Sequence, residues 1–497
     1  MAGEAEACAG DGLLVDGARD EDVYVAVPEV FHCGLERGDG RLGGVGGGSA
    51  GRTVAVRTSW DGRLYTAVSG ADGRFEVELH TPAAGGPHTI TLDDGTTCLL
   101  RDVYAGEVWL CAGQSNMEMP MKGFKGQPVE GAAEALLECG DSLLRLFTVG
   151  RRASLTPCRD VDGRWLTAQV SSVRDFSATA YFFGRALRRV LGVPVGLLCT
   201  AYGGSACEAW MRAEWLRPFC APYRSPLTGT TVELPAGDDD VKRLRQRCPT
   251  ALYNGQLSPL TGYGMKGVIW YQGEDNVPRY DYYADLLKAM VEGWRQEWGQ
   301  GDFPFYYCQI APYDYSLIDW KDSQLLREQQ LLAETMIANA RMAVLMDCGM
   351  EYGIHPRKKR EAGERLALLA LGNSYAVKGL PDFAVAGSVD FRGDTAVVAF
   401  DRSRQRVYFE HGPRAGADAA TAGNFEVAGS DGVFHPAEAW TGRNRVYVRS
   451  DSVAKPVAVR YGWRDWTVGD LMHDGLPVSS FRLDGRRQGE PQRHDTQ

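Results

Sequence analysis

The sequence predicts an α/β protein whose central domain is a three-layer α/β/α arrangement around a mostly parallel sheet, flanked by two β-rich domains. Three observations lead to this prediction. Both outer parts of the chain contain short runs in which apolar and polar residues alternate, as in half-buried strands. The middle part alternates apolar strands with long amphipathic helices, which requires crossover connections. The chain has 497 residues, enough for about three domains.

The first predicted domain is β-rich and covers residues 1–101. Its alternating runs include Arg52–Arg57 and Arg74–Leu79, and Gly, Asp and Pro residues separate such runs. A glycine-rich insertion spans residues 43–51. It lacks the strand–loop–helix setting and the following Lys-Ser/Thr of a phosphate-binding loop, so we interpret it as a flexible linker without chemistry.

The predicted central domain covers residues 102–376 and alternates strands with helices. Its candidate strands are continuous apolar runs, as expected for strands buried on both faces: Glu107–Cys111, Leu143–Val149, Pro194–Thr200, Gly267–Tyr271, Phe305–Ile310 and Ala343–Asp347. Its candidate helices have apolar residues at intervals of three and four: Thr179–Leu191, Tyr280–Trp298 and Ser323–Ala340. These elements predict a doubly wound sheet.

The last predicted domain covers residues 377–497 and is again β-rich. Alternating strands return in this part of the chain, for example at Thr395–Phe400, Arg445–Val448 and Val457–Tyr461.

Composition argues against two classes of partner. The formal net charge is −10, and no dense basic run supplies the positive surface that nucleic-acid binding requires. No stretch approaches the roughly 20 apolar residues of a membrane-spanning helix. We therefore expect no nucleic-acid partner and no membrane insertion, and the sequence leaves the oligomeric state open.

The N-terminus and the cysteines favour the cytoplasm. Acidic residues stand where a signal peptide would have basic ones, and no N-x-Ser/Thr sequon occurs. Twelve cysteines are scattered without a C-x-x-C pair. Several fall in apparent core strands, which predicts reduced, buried thiols: Cys111, Cys199, Cys308 and Cys348.

Candidate functional residues follow the predicted strands. Ligands of open parallel sheets bind beyond the carboxyl ends of the strands. The segments at these ends contain a serine, a glycine turn, an amide and acid cluster, and a histidine, an inventory typical of a hydrolase: Ser115, Gly204, Gln272, Glu274, Asn276, Asp347 and His355.

A nucleophilic serine needs a base, and the central domain offers one histidine. Of the eight histidines only His355 falls in this domain, and imidazole suits the task because its usual pKa is about 6.5. Ser115 and Ser205 compete as nucleophile, and neither has a Gly-x-Ser-x-Gly elbow. Ser205 has an alternative role as N-cap of a helix through Trp210.

Ester hydrolysis also needs donors for the oxyanion. The candidates are the backbone N–H groups of Ser115 and Gly204 and the side-chain amide of Gln272 or Asn276. Two alternatives stay open from the sequence. Gly203-Gly204 forms a simple tight turn in the first, and the two amides lie on the surface in the second.

Several segments together resemble the sialate O-acetylesterase family, whose central domain belongs to the SGNH-hydrolase superfamily, a flavodoxin-like fold. They include GEVWLCAGQSNMEMPM at 106–121, AYGGSACEAW at 201–210, GVIWYQGEDN at 267–276 and IHPRKKREAGERLALLAL at 354–371. The resemblance covers nearly the whole chain and implies that Ser115 is the nucleophile and His355 the base. It also implies that Gly204 and the segment from Gln272 to Asn276 supply the oxyanion donors.

The third member of the triad departs from the superfamily pattern. Many of its enzymes have an aspartate three residues before the histidine, where this chain has Tyr352. Related sugar acetylesterases use the glutamate of a Gln-Gly-Glu segment, which makes Glu274 our choice. Asp347 comes second and Glu351 third, and a dyad without an acid stays open.

The resemblance implies hydrolysis of O-acetyl esters of sugars, most of all 9-O-acetylated sialic acid, through an acetyl-serine intermediate. This chemistry requires no metal and no organic cofactor. One alternative is an acetylesterase of xylan or another plant polysaccharide, with the choice of sugar made by the insertion at 220–247. An alternative of another class is a non-catalytic carbohydrate-binding protein with Trp463 and Trp466 as stacking surfaces.

Overall fold

The computed structural model describes residues 26–28, 41–47, 50–71, 74–402, 406–410 and 424–484. The chain forms two compact units, each assembled from several segments. The first unit contains the described residues up to Tyr223, with 231–270 and 289–305. The second contains 224–230, 271–288 and the described residues from Tyr306 onward.

The strands and helices alternate in the middle of the chain and give way to strands at both ends. Up to residue 201 they are β1 (Ala26–Pro28), β2 (Arg41–Gly47), β3 (Thr53–Thr58), β4 (Leu64–Val68), β5 (Arg74–His80), β6 (Gly85–Asp93), β7 (Thr97–Gly113), α1 (Ser115–Glu118), α2 (Ala132–Glu138), β8 (Asp141–Thr148), β9 (Trp165–Ala168), α3 (Val170–Asp175), α4 (Ala178–Leu191) and β10 (Val195–Ala201). Up to residue 373 they are α5 (Ala213–Leu216), α6 (Asp238–Leu244), β11 (Gly267–Tyr271), α7 (Tyr283–Trp298), β12 (Phe305–Cys308), α8 (Ser323–Met336), β13 (Ala340–Ala343) and α9 (Lys359–Asn373). The remaining strands are β14 (Val385–Arg392), β15 (Thr395–Asp401), β16 (Val407–Phe409), β17 (Phe425–Ala428), β18 (Phe434–Pro436), β19 (Glu438–Gly442), β20 (Arg445–Arg449), β21 (Ala458–Tyr461), β22 (Leu471–His473), β23 (Leu476–Pro477) and β24 (Phe481–Leu483).

The main sheet of the first unit contains strands in the order β11-β7-β10-β8-β9. β10 is parallel to both β7 and β8, while β9 is antiparallel to β8. Every residue of β10 is buried, as is the carboxyl half of β7, because strands of a parallel sheet pack against other layers on both faces. The predicted mixed α/β fold with a mostly parallel sheet is confirmed, and the predicted strand Gly267–Tyr271 coincides with β11.

Helix α4 shows how the sequence sets the bounds of an element. The Ser177 side chain accepts a hydrogen bond from the Ala180 N–H at the start of the helix, and Gly192 ends it in the left-handed conformation. A side chain at Gly184 would collide with Leu197 of β10 and Leu144 of β8. The missing side chain therefore lets α4 pack closely on these two strands.

Strand β7 is shared by two parts of the sheet. Its first half pairs with β6, which in turn pairs with β3, and its second half pairs with β10. The domain boundary predicted between residues 101 and 102 falls inside this continuous strand. The division into 1–101, 102–376 and 377–497 stays a prediction.

The glycine-rich insertion is not a linker over its whole length. Its first five residues, 43–47, belong to β2, which pairs antiparallel with β5. The linker interpretation was wrong here because the ladder uses backbone N–H and C=O groups, which glycine supplies without any side chain. Residues 48 and 49 lie outside the described residues.

The second unit contains the β-rich C-terminal part of the chain. Its sheets have the orders β14-β15-β20-β19, β18-β17-β21-β24 and β16-β22-β23. Alternate residues of these strands, such as Val398, Val427 and Val459, form one apolar core. The alternating pattern therefore predicted these strands correctly, as expected where one face of a strand is buried.

Several predicted bounds in the middle of the chain were wrong. The strand expected at Phe305–Ile310 is β12, which ends at Cys308. The strand expected at Ala343–Asp347 is β13, which ends at Ala343; beyond it the Val344 carbonyl accepts a bond from Arg365 and a turn closes at Cys348. Helix α7 begins only at Tyr283, after a 3₁₀ segment kinked at Arg279 beyond Pro278. Helix α8 ends at Met336 rather than residue 340.

The structure also tests the predictions about disulfides and about membrane-spanning helices. Ten cysteines lie in the described part of the chain, and none of these is in a disulfide. Cys111, Cys199 and Cys308 are buried in strands, and Cys348 is buried in the turn after β13. No helix within the described ranges has the length and apolar character needed to cross a bilayer.

Candidate active site

Ser115 is the first residue of the one-turn helix α1, directly beyond the carboxyl end of β7. The N–H groups of Met117 and Glu118 donate to the carbonyl of Gln114, and that of Met119 donates to the carbonyl of Ser115. These bonds hold the nucleophile candidate at the end of a buried strand. Ser115 itself is partly exposed, while Gln114 is buried.

The glycine turn lies beside Ser115 because β7 and β10 end level with each other. Ala201 pairs with Gly113 in the parallel register, and the Tyr202 N–H donates to the Gly113 carbonyl at 3.1 Å. A Cβ atom on Gly203 would lie 3.4 Å from the Ser115 Cβ. The structure therefore brings the predicted nucleophile and the predicted glycine turn together.

Two backbone donors are available at this place. Among the described residues, the N–H groups of Ser115 and Gly204 donate to no protein acceptor. Gly204 has a φ of +69°, a conformation in which glycine avoids the strain of other residues. The pair has the character expected of an oxyanion-binding site.

Ser205 occupies a different environment. It is fully buried, and its Oγ accepts a hydrogen bond from Trp210 Nε1 at 3.0 Å. The predicted N-cap role was wrong, because the helix through Trp210 is a 3₁₀ turn at Cys207–Trp210 whose N-cap position is Ala206. Ser205 packs into the core, so Ser115 is the better placed nucleophile.

In the second unit, the amides of Gln272 and Asn276 bind each other. Gln272 Nε2 donates to Asn276 Oδ1 at 2.7 Å, and Gln272 Oε1 accepts from the Tyr283 hydroxyl at 2.8 Å. Both amides are buried rather than on the surface. Asn276 is the acceptor in this bond, so its own side-chain N–H groups are not used by it.

The segment after β11 is fixed by close packing. Gly273 has a φ of +155°, and a Cβ atom there would lie 2.7 Å from Ile310 Cγ2. Gln330 Nε2 donates to the Gln272 carbonyl, and Gln330 Oε1 accepts from the Ile310 N–H. Only glycine fits at position 273, and the bonds from Gln330 connect the segment that carries Gln272 to the helix α8.

Glu274 and His355 share a buried neighbour, Lys359. Glu274 is buried, and Lys359 is only 1% exposed. Burial lowers the pKa of Lys359 to about 7, opposed mainly by the Glu274 carboxylate. Burial, and next the charge of Lys359, lower the pKa of His355 to about 4. Both predicted residues therefore lie within electrostatic reach of one cation.

The other acid candidates have different partners. Both oxygens of Asp347 accept bonds from Arg365, at 2.7 and 2.6 Å. Burial alone would raise the pKa of Asp347, but these bonds hold it below the usual value. Glu351 bonds to Tyr352, which is 75% exposed. Asp347 is thus committed to an ion pair, which leaves Glu274 as the better placed acid.

The predicted residues fall into two groups. The first unit holds Ser115 with Gly204, and the second holds Gln272, Glu274, Asn276, Asp347 and His355. The pairing of Ser115 with His355 and the assignment of the acid stay predictions.

Sequence reasoning missed two residues of the candidate site, Lys359 and Glu118. Each follows a candidate residue at helical spacing, since Lys359 comes four residues after His355 and Glu118 three residues after Ser115.

One of the two proposed stacking aromatics is not exposed. Trp463 is 8% exposed, and the Arg482 guanidinium lies 5.0 Å from its ring centre. A buried ring covered by a cation offers no face to a sugar. The suggestion that Trp463 forms a carbohydrate-binding surface was therefore wrong.

Comparisons with known proteins agree with the sequence motifs. The family model described as carbohydrate esterase, sialic acid-specific acetylesterase, matches residues 105–368, more than half of the 497 residues. The sialate O-acetylesterases of Rattus norvegicus and Homo sapiens are each 29% identical to this chain, over 67% of it and over 70% and 68% of their own lengths.

A solved structure also indicates a carbohydrate esterase. A carbohydrate acetylesterase from Xanthomonas citri is 35% identical to this chain, with a TM-score of 0.78 over 89% of this chain and 95% of its own. Its similarity extends beyond the residues that the family model matches. The chain therefore belongs to the carbohydrate esterase family of sialic acid-specific acetylesterases.

Proposed function

We propose that this protein is a serine esterase that hydrolyses O-acetyl esters of sugars, with 9-O-acetylated sialic acid as the first substrate to test. Family membership supports the class of reaction. The observation that carries the serine mechanism is the position of Ser115 beside the Gly203-Gly204 turn, with two backbone donors available there. We also propose the three-layer SGNH arrangement for the central domain.

The proposed reaction has two steps. Ser115 Oγ attacks the acetyl carbonyl carbon while His355 accepts the hydroxyl proton, and the oxyanion accepts bonds from Ser115, Gly204 and Asn276. The carbon–oxygen bond to the sugar then breaks, and the proton passes to the leaving sugar hydroxyl. A water molecule attacks the acetyl-serine in the second step and releases acetate.

The roles of the remaining candidates follow from their contacts. Glu274 is proposed to orient His355, since Asp347 is bound by Arg365. Gln272 positions Asn276 through the bond between their amides. None of these roles requires a metal ion or an organic cofactor.

The mechanism is tested by three single variants. Ser115→Ala and His355→Ala should each lower the rate of p-nitrophenol release from p-nitrophenyl acetate by at least about a thousandfold. Ser205→Ala should keep most of the rate, because Ser205 lies in the core. A fluorophosphonate probe should label the wild type and not Ser115→Ala. Full activity of Ser115→Ala would contradict the mechanism.

A second candidate substrate is an acetylated plant polysaccharide such as acetylxylan. It stays a candidate because the relative from Xanthomonas citri is described only as a carbohydrate acetylesterase, a description that names no single sugar. The kcat/KM for 9-O-acetylated sialic acid, compared with that for acetylated xylan, decides between the two. We assign the choice of sugar to the insertion at 220–247.

The place of action and the partners are also proposals. We propose a cytoplasmic enzyme whose partner is an O-acetylated sugar or sialoglycoconjugate, without nucleic acid. Fractionation of the native cells, followed by detection of the protein in each fraction, tests the location.

A further inference from the structure

Glu118 stands three residues after Ser115 on the same one-turn helix, and its side chain reaches the glycine turn. Its Oε2 accepts a hydrogen bond from the Gly203 N–H at 2.9 Å. A Cβ atom on Gly203 would lie 2.9 Å from that same oxygen and 3.4 Å from the Ser115 Cβ. The Glu118 side chain thus joins the helix α1, which follows β7, to the turn that follows β10.

The second oxygen of Glu118 is also occupied. Glu118 Oε1 accepts a bond from Arg151 Nε at 2.5 Å. The guanidinium of Arg151 lies 5.2 Å from the ring centre of Tyr202, the residue before Gly203. Three segments, which follow β7, β8 and β10, therefore meet at one carboxylate.

Glu118 and Arg151 differ in how much of each side chain is exposed to solvent. The Glu118 side chain is 15% exposed, whereas that of Arg151 is 57% exposed. The carboxylate is therefore mostly withdrawn from water, and the neighbouring guanidinium balances part of its negative charge. This balance matters because a second negative charge develops on the acyl oxygen in the transition state.

We propose that Glu118 is a positioning residue of the esterase, which fixes the Gly204 N–H relative to Ser115, and that Arg151 neutralises it so that it does not oppose the oxyanion. The inference rests on the proposed function, since it requires Ser115 as nucleophile. Neither residue touches the reacting atoms. Their contribution is to hold one donor at the right place and to remove an unfavourable charge.

The first test compares Glu118→Ala with Glu118→Gln. The alanine variant should lower kcat about 30-fold with KM changed less than about threefold, because a misplaced oxyanion donor acts on the transition state. The glutamine variant keeps an oxygen for the Gly203 N–H and should stay within about threefold of wild type. Glu138→Ala, which removes an exposed ion pair with Arg185, is the control and should keep the wild-type kcat.

The second test separates charge from folding. Arg151→Ala should lower kcat about tenfold because the Glu118 charge is then uncompensated. Adding Glu118→Gln to Arg151→Ala should restore most of this loss, since no charge then needs balancing. This cycle decides the matter even if Glu118→Ala does not fold, and unfolding midpoints are measured for every variant.

Two results would overturn the inference. One is a wild-type kcat in a folded Glu118→Ala variant, and the other is an equal loss in Arg151→Ala with and without Glu118→Gln. The Ser115→Ala variant is measured in the same assay. If it loses activity while the Glu118 and Arg151 variants do not, the proposed function stands and only the inference fails.

Discussion

Lys359 Nζ lies 5.4 Å from the centre of the Tyr271 ring. Both side chains are almost completely buried, and the same ammonium group interacts with the Glu274 carboxylate and with His355. A cation in such a place is stabilised by the ring face and by the carboxylate, and destabilised by the loss of water. The charge state of Lys359 therefore affects both predicted catalytic groups.

The first prediction concerns the pH dependence of activity. A histidine base works when it is neutral, so the acid limb of kcat/KM should lie well below pH 6.5, towards the His355 pKa of about 4. Lys359→Met removes the positive charge that helps to lower this pKa. The acid limb should therefore move to higher pH in this variant.

The measurement is kcat/KM for p-nitrophenyl acetate between about pH 3.5 and about pH 8. This range includes the usual histidine pKa of about 6.5. Lys358→Met is the matched control, since the Lys358 Nζ donates to the Asp347 carbonyl instead. An acid limb at the same pH in Lys359→Met and wild type would show that Lys359 does not influence the base.

The second prediction concerns stability. The pKa of Lys359 is lowered from its usual 10.5 to about 7 in the folded protein. Between these pH values the unfolded chain binds the proton and the folded chain does not, so this group makes the folded state more stable as the pH rises. Urea denaturation at about pH 7.5 and about pH 9.5 checks this prediction. Between these two pH values, the free energy of unfolding should rise less for Lys359→Met than for wild type.

The third prediction separates the two acid candidates. Asp347→Asn should destabilise the protein by about 3–5 kcal/mol, because the buried Arg365 then loses its partner charge. Glu274→Gln should lower kcat by about a hundredfold if this carboxylate orients the base. Urea denaturation and steady-state kinetics of both variants provide the comparison. A larger loss of kcat in a folded Asp347→Asn would instead assign the orienting role to Asp347.

The fourth prediction distinguishes the two amides. Asn276→Ala should lower kcat about a hundredfold, as the loss of one oxyanion donor does. Gln272→Ala removes the bond that orients Asn276 and should cost about tenfold. Asn373→Ala, at the end of α9, is the control. Equal kcat values for Asn276→Ala and wild type would exclude Asn276 as a donor.

Much of the fold follows from the hydrophobic pattern. The run at 267–271 predicted β11 without error, because four consecutive apolar residues between Gly267 and a glycine-containing turn suit a strand buried on both faces. The pattern failed at Ala343–Asp347, where Arg365 bonds to the Val344 carbonyl. This partner lies 21 positions away in the chain, and no local pattern indicates it.

The same limit applies to the candidate site. The position of Ser115 after a strand was visible in the sequence, since strand ends collect functional residues in parallel sheets. The family resemblance also favoured Ser115 over Ser205, but the burial of Ser205 and its bond from Trp210 could not be read from the sequence. The charged partner of Asp347 likewise comes from a distant position, since Arg365 lies on the helix α9.

The sequence by itself determined the family, the order of strands and helices, and the candidates Ser115, His355 and Glu274. These properties depend on short motifs and on local periodicity, which a chain displays before it folds. The tertiary structure decided which of the candidates are committed to structural partners and which new residues join them. Hydrogen bonds such as Glu118 to Gly203 connect positions 85 residues apart, so only the folded chain brings those groups within bonding distance.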